Sequence, residues 1–227
     1  MKLTNKKQNR KNLKFAILAT DVVIFSIREN ILNVLLIEIN IPPYYKNIYG
    51  VPGGLILPEE TAEDSVYGHM KNKAGIKNID IEQLYTFSSV DRDPRGRVVS
   101  VAYFGLTTTV ETSSSAKVYW KDVKKLPKLA YDHKGIIKKA LERLKAKVGY
   151  TTIIKGLLPK EFTLSDLQTA YEVVLNKKFD KRNFRKKMLS FGFLKTAGAK
   201  QTGVANRPAD LYKFSVGSTQ TFDIFRS

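Results

Sequence analysis

The chain has 227 residues, 43% of them hydrophobic and 26% charged, with no cysteine and two histidines. That balance suits a globular chain long enough for one large domain or two small ones, and it excludes disorder, disulfide scaffolds, thiolate zinc sites and cysteine nucleophiles. Thirty-nine basic side chains against 21 acidic ones leave +18 at neutral pH, a charge that seeks polyanions wherever it is gathered on one surface.

Residues 1–14 carry Lys2, Lys6, Lys7, Arg10, Lys11 and Lys14 and are expected to form a basic flexible arm. They lack the continuous apolar run and small-residue cleavage site of a signal peptide, so a cytoplasmic protein is expected. The most apolar stretch, Phe15 to Ile27, contains Asp21 and is too short to span a bilayer. From Phe15 to Ile41 β-branched and apolar residues read as two strands joined at Arg28 to Asn30. Pro42, Pro43, Gly50, Pro52, Gly53 and Gly54 read as a rigid, glycine-marked loop. A helix is predicted from Thr61 to about Ala74, with Ala62, Val66 and Met70 as its buried stripe. Leu84 to Val90 and Val98 to Thr109 read as strands around the polar loop Asp91 to Arg97. Asp132 is the expected cap of a helix from His133 to about Val148, buried through Ile136, Ile137, Ala140, Leu141 and Leu144.

Beyond Gly149 the pattern changes. Thr163 caps a helix with Leu164, Leu167, Tyr171 and Val174 on one face, and Asn176 ends it. Asp180 caps a second helix with Phe184 and Met188 inward and Gly192 at its close. Phe193 to Thr196 and Leu211 to Phe214 then read as a hairpin. Helix, turn, helix and hairpin is the order of a winged helix-turn-helix. Three segments are therefore expected: the arm at 1–14, a sensing domain at 15–149 that ends in a linking helix, and a DNA-binding domain at 150–227.

Charge supports that division. Residues 150–227 carry net +8 against +10 on the longer first part, and Lys177 to Lys187 alone carry +6. With Phe184 and Met188 inward, Lys181, Arg182, Asn183, Arg185 and Lys186 fall on outward or flanking faces, joined by Lys187 and by Lys200 and Arg207 in the hairpin loop. These eight residues are the predicted contacts to double-stranded DNA. Arginine and asparagine can read base edges, whereas lysines serve mainly as phosphate contacts.

Gly54 to Ile76 resembles the Nudix box, whose pattern is a glycine, five residues, a glutamate, seven residues, then Arg-Glu-apolar-any-Glu-Glu-any-Gly-apolar. Gly54, Glu60, Met70, Gly75 and Ile76 match it. Gly68 and His69 stand where the family has Arg-Glu, and Asn72 and Lys73 where it has Glu-Glu. In an active Nudix hydrolase those glutamates share one helix face and hold the magnesium ions. Here that face carries an imidazole, an amide and an ammonium, so no metal site, no catalytic residue and no required cofactor are expected. Glu60 also lacks the family's bracing arginine. Gly53 and Gly54, whose backbone allows close approach, and Arg92, Arg95 and Arg97, suited to bidentate phosphate capture, are the predicted ligand contacts.

Taken together, Pro52-Gly53-Gly54, the run Asp91 to Tyr103, Leu126-Pro127, Leu129 to His133, Asp180 to Lys187 and Arg207-Pro208-Ala209 make the chain resemble the Nudix-related transcriptional regulators, over roughly Phe15 to Phe214. The resemblance implies an α+β protein: a Nudix-like α/β/α sandwich with a mixed sheet, followed by a winged helix-turn-helix domain. It also implies a homodimer on a palindromic operator that represses NAD-biosynthesis genes until ADP-ribose or a related nucleotide binds. A sister branch senses arabinose or another sugar. The competing class is a Nudix hydrolase of ADP-ribose or another nucleoside diphosphate.

Overall fold

The structure is a computed structural model that describes residues 15–77, 79–108, 117–200, 208–215, 219 and 221, without the side chains of 199 and 200. The expected basic arm and Arg207 lie outside the described residues. The first twelve-residue strand, β1 (Ile17–Arg28), turns into β2 (Ile31–Ile41) through Glu29 and Asn30, both at positive φ (50° and 59°), the twist a two-residue hairpin requires. The segment read as a rigid loop contains two further strands, β3 (Tyr45–Gly50) and β4 (Gly53–Leu55). Neither alternates cleanly enough to announce itself: β3 is half-exposed, and β4 is three residues held by pairing with β1. After β5 (Ile81–Phe87) and β6 (Val98–Leu106) comes β7 (Val118–Asp122), also unread in the sequence. These make one seven-stranded sheet along the path β3-β2-β1-β6-β5, with β4 on β1 and β7 on β2. β1 runs parallel to β6 and antiparallel to β2 and β4, so the sheet is mixed, as expected.

Alternation in β1 assigns its two faces. Val22 and Ile24 pack on α1 (Ala62–Ala74) through Val66, Met70 and Ala74. Val23 and Phe25 pack toward α2 (His133–Val148) through Ile136, Ile137, Ala140 and Leu144, all at or near zero exposure. Each helix covers one face of the sheet, which gives the α/β/α sandwich. α1 starts at a capping box in which Thr61 and Asp64 satisfy each other's backbone N–H, and stops at Gly75 in the left-handed region (φ 67°).

The second core does not end at α2. It continues through Ile154 and Leu157 of a 3-10 helix (Thr152–Leu157) into α3 (Leu164–Leu175) and α4 (Lys181–Ser190), where Leu167, Tyr171, Phe184 and Met188 are buried together. β8 (Leu194–Lys200) and β9 (Asp210–Phe214) form the antiparallel wing, and Phe162 bridges to Tyr212 at its base. Thr163 and Asp166 form the predicted capping box, Asn176 ends α3 at φ 52°, and Asp180 caps α4 by accepting from Asn183 N. Among the described residues no helix is long and apolar enough to cross a membrane.

Candidate functional site

A cleft of about 780 Å³ opens where β1, β4, the end of α1, the loop Asp91 to Arg97 and the start of α2 meet. Buried in its wall is Asp21, the one acid of β1. Asp21 Oδ2 accepts from Ser100 Oγ at 2.6 Å and from Arg92 Nη2 at 3.1 Å, and Oδ1 lies 3.4 Å from His133 Nε2. Burial, the largest single influence, works to raise its pKa, but His133, the Ser100 hydroxyl and Arg92 together overcome it and hold the carboxyl at about 2. His133 Nδ1 accepts from Val51 N at 3.1 Å, which places the ring proton on Nε2, facing Asp21.

Arg92 is 6% exposed and bridges two carboxylates. Besides Asp21 it donates from Nε (3.1 Å) and Nη2 (2.8 Å) to Asp132. This corrects one expectation. Asp132 makes no side-chain cap bond to α2, because its carboxylate is held by Arg92. Arg92, a predicted ligand contact, lines the cleft and is paired with both carboxylates. Arg95 does face the cleft, side chain 39% exposed, with its fork on Asp93 at 2.7–3.0 Å and its guanidinium carbon 5.6 Å from the Tyr131 ring centre. Arg97 does not join them: Nη1 donates to the Ser88 and Ser89 carbonyls (2.9 and 3.1 Å), and the residue is absent from the cleft wall. The structure therefore gathers Gly53, Gly54, Arg92 and Arg95, and leaves Arg97 outside.

Gly53 and Gly54 lie where close approach demands them. A Cβ on Gly53 would stand 2.2 Å from Asp21 Oδ1 and 2.4 Å from the Thr20 carbonyl oxygen. The box helix faces them with side chains other than carboxylates. His69 stacks under Gly54 with Nε2 3.4 Å from Ser65 Oγ, and Lys73 Nζ donates to the Gly53 carbonyl at 2.5 Å. Burial lowers the pKa of both His69 and Lys73; the Asp21 carboxylate opposes this for Lys73. Glu60 is turned to its own loop, accepting from Leu57 N at 3.1 Å. These residues do not fit a magnesium ion, which seeks an octahedron of oxygens. Among the described residues no group of three or more His, Cys, Asp or Glu side chains could hold a metal ion.

Sequence reasoning passed over Asp21, Tyr131 and His133 as cleft residues. An acid inside an apolar strand was the available signal for Asp21. Tyr131 carries a positive φ of 51°, a conformation costly for a side chain with Cβ, and its N–H donates to Tyr45 Oη at 3.0 Å.

At the other end of the molecule Lys181, Arg182, Asn183, Arg185 and Lys186 are all exposed on α4, and Lys187 is half-buried. Among the described residues no ion pair claims any of these cations. The turn before α4 is fixed by Glu172, which accepts from Gln168 Nε2, Phe179 N and Lys178 Nζ. A groove lined by Ser165 at the start of α3, Lys181 and Arg185 of α4, and Pro208 to Asp210 of the wing runs alongside. The Lys200 backbone ends β8.

A Nudix-like sandwich sharing a core with a winged helix defines a Nudix-related transcriptional regulator. Residues 155–214 match the family model for the NrtR DNA-binding winged helix domain. An ADPR responsive transcriptional repressor, NtrR, of Acinetobacter baylyi is 32% identical over 209 residues, covering 88% of this chain and 82% of that protein. The crystal structure of Shewanella oneidensis NrtR complexed with a 27mer DNA matches with a TM-score of 0.76 at 33% identity, over 87% of this chain and 93% of that one. The Nudix domain of the same Shewanella protein, complexed with ADP ribose, matches with a TM-score of 0.51 at 32% identity, over 61% of this chain and 94% of that one. The chain belongs to the NrtR family of Nudix-related transcriptional regulators.

Proposed function

We propose that this chain is a homodimeric repressor whose sensing domain, residues 15–149, binds ADP-ribose or a related NAD-derived nucleotide and thereby releases the DNA-binding domain, residues 150–227, from a palindromic operator. The observation that carries this reading is the position of α2: its first residue, His133, lines the cleft, and its apolar face shares one core with α3 and α4. A ligand that rearranges the Arg92 brace moves the start of the helix on which the winged helix packs. Gly53, Gly54 and Arg95 are the proposed direct ligand contacts, with Arg92 acting through Asp132. On α4, Arg185 and Asn183 are assigned base edges, while Lys181, Arg182, Lys186 and Lys187 are assigned phosphates, with Lys200 and Arg207 as further proposed contacts.

By linkage a ligand shifts operator binding only as far as it prefers the DNA-free arrangement, and a hundredfold preference corresponds to about 2.7 kcal/mol. Operator affinity measured by fluorescence anisotropy should fall on adding ADP-ribose and stay unchanged with arabinose. The reverse order would move the protein to the sugar-sensing branch, and no response to either would sink the sensor model.

The cleft is assigned no hydrolysis, because positions 69, 72 and 73 present His, Asn and Lys where the reaction needs metal-binding carboxylates. Incubation with ADP-ribose and magnesium or manganese should leave the nucleotide intact. Lys73→Glu alone should not restore turnover, since His69 and Asn72 remain. Turnover by the wild type that disappears on mutating the α1 face would overturn the assignment.

A further inference from the structure

We infer that Lys73 is the resident counter-cation of the cleft: its ammonium meets the diphosphate of a nucleoside-diphosphate ligand where a Nudix enzyme would use a divalent ion, so that this chain recognises its ligand without metal. The inference rests on the reading of the cleft as a nucleotide site.

Lys73 belongs to the last turn of α1, where the helix dipole favours a cation. Its ammonium is drawn across the cleft to the Gly53 carbonyl, and Nζ lies 3.2 Å from the point where a Gly54 Cβ would stand. That carbonyl is itself fixed in place, because β4 is pressed on β1 in the register Asp21 to Gly53, with no room between them for a side chain. An ammonium has three donors, and the described residues engage one of them, which leaves two for oxygen atoms of a ligand in the cleft.

The same contact works against a metal. A divalent ion seated at the glycine loop would compete with Lys73 for a backbone oxygen and would meet its positive charge at close range. It would also find few anionic partners. Asp21 is committed to Arg92 and Ser100, Asp93 is committed to Arg95, and Glu60 to its own loop. Glu38 on β2 also lines the cleft, with Lys117 beside β7 as a further cation. The accessible charge around the glycine loop is thus that of an anion site with its cation covalently attached.

Calorimetric titration of the full chain with ADP-ribose, in EDTA and in millimolar magnesium, tests this. Wild type should bind equally well in both buffers. Lys73→Met should lose tenfold or more in affinity in both, while Lys73→Arg, which keeps the charge, should retain most of it. Circular dichroism and the thermal unfolding midpoint of each variant report that the fold is intact. A tenfold gain for wild type on adding magnesium, or wild-type affinity in a folded Lys73→Met, would overturn the inference while leaving the nucleotide site standing. Failure of wild type to bind ADP-ribose in either buffer would instead overturn the effector assignment and this inference with it.

Discussion

Arg92 and Asp132, forty positions apart, are joined by two parallel hydrogen bonds, Nε to Oδ2 at 3.1 Å and Nη2 to Oδ1 at 2.8 Å. The pair fastens the loop after β5 to the residue that precedes α2. Because Nη2 also reaches Asp21, the cleft floor and the start of the linking helix share one guanidinium. Removing it takes from Asp21 the guanidinium paired with it, in a site where the Asp21 side chain is 8% exposed. Arg92→Met should therefore destabilise the protein by roughly 3–5 kcal/mol in urea unfolding. Loss of less than about 1 kcal/mol would mean that the brace is dispensable.

Acid should act through Asp21. Its folded pKa of about 2 lies below the ordinary 3.8, so the stability it contributes is present above the unfolded value and is lost as pH falls from near 4 toward 2. The shift corresponds to about 2 kcal/mol at neutral pH, because the group is buried. Urea midpoints followed from pH 5 to pH 2 should fall more gently in Asp21→Asn than in wild type. Parallel curves would show that other carboxyls set the acid limb.

Two glycines should respond in opposite directions. Gly53→Ala places a methyl 2.2 Å from Asp21 Oδ1 and against the Thr20 backbone, so β4 must move; a loss of roughly 2 kcal/mol and of ligand binding is expected. At Gly68, inside α1, an added Cβ meets nothing within 4 Å. Gly68→Ala should raise stability by about 1 kcal/mol through helix propensity alone. Thermal denaturation of both variants checks the pair.

On α4 the polar side chains divide by chemistry. Arg185→Ala or Asn183→Ala should cost about 1–3 kcal/mol on the cognate operator and relax base preference at one position. Lys187→Ala should weaken all sequences alike and flatten the salt dependence of binding by about one unit. Anisotropy titrations on cognate and scrambled duplexes at several salt concentrations separate these outcomes, and wild-type behaviour in all three variants would displace the recognition surface from α4.

The chain alone determined the elements whose causes are local. The β1–β2 turn, the capping boxes at Thr61 and Thr163, the left-handed end of α3 at Asn176 and the apolar stripe of α2 each follow from a few neighbouring residues. The charge on α4 was legible for the same reason, since Phe184 and Met188 at helical spacing settle which face is outward. β3, β4 and β7 were not legible, because they exist through pairing with strands distant in sequence rather than through their own pattern. The cleft chemistry was decided by tertiary structure for the same physical reason. A guanidinium cannot reveal from its sequence neighbours whether it will meet phosphate or carboxylate. Only the fold brings Arg92 to Asp21 and Asp132, turns Arg97 onto the Ser88 and Ser89 carbonyls, and sets the Lys73 ammonium on the carbonyl of Gly53.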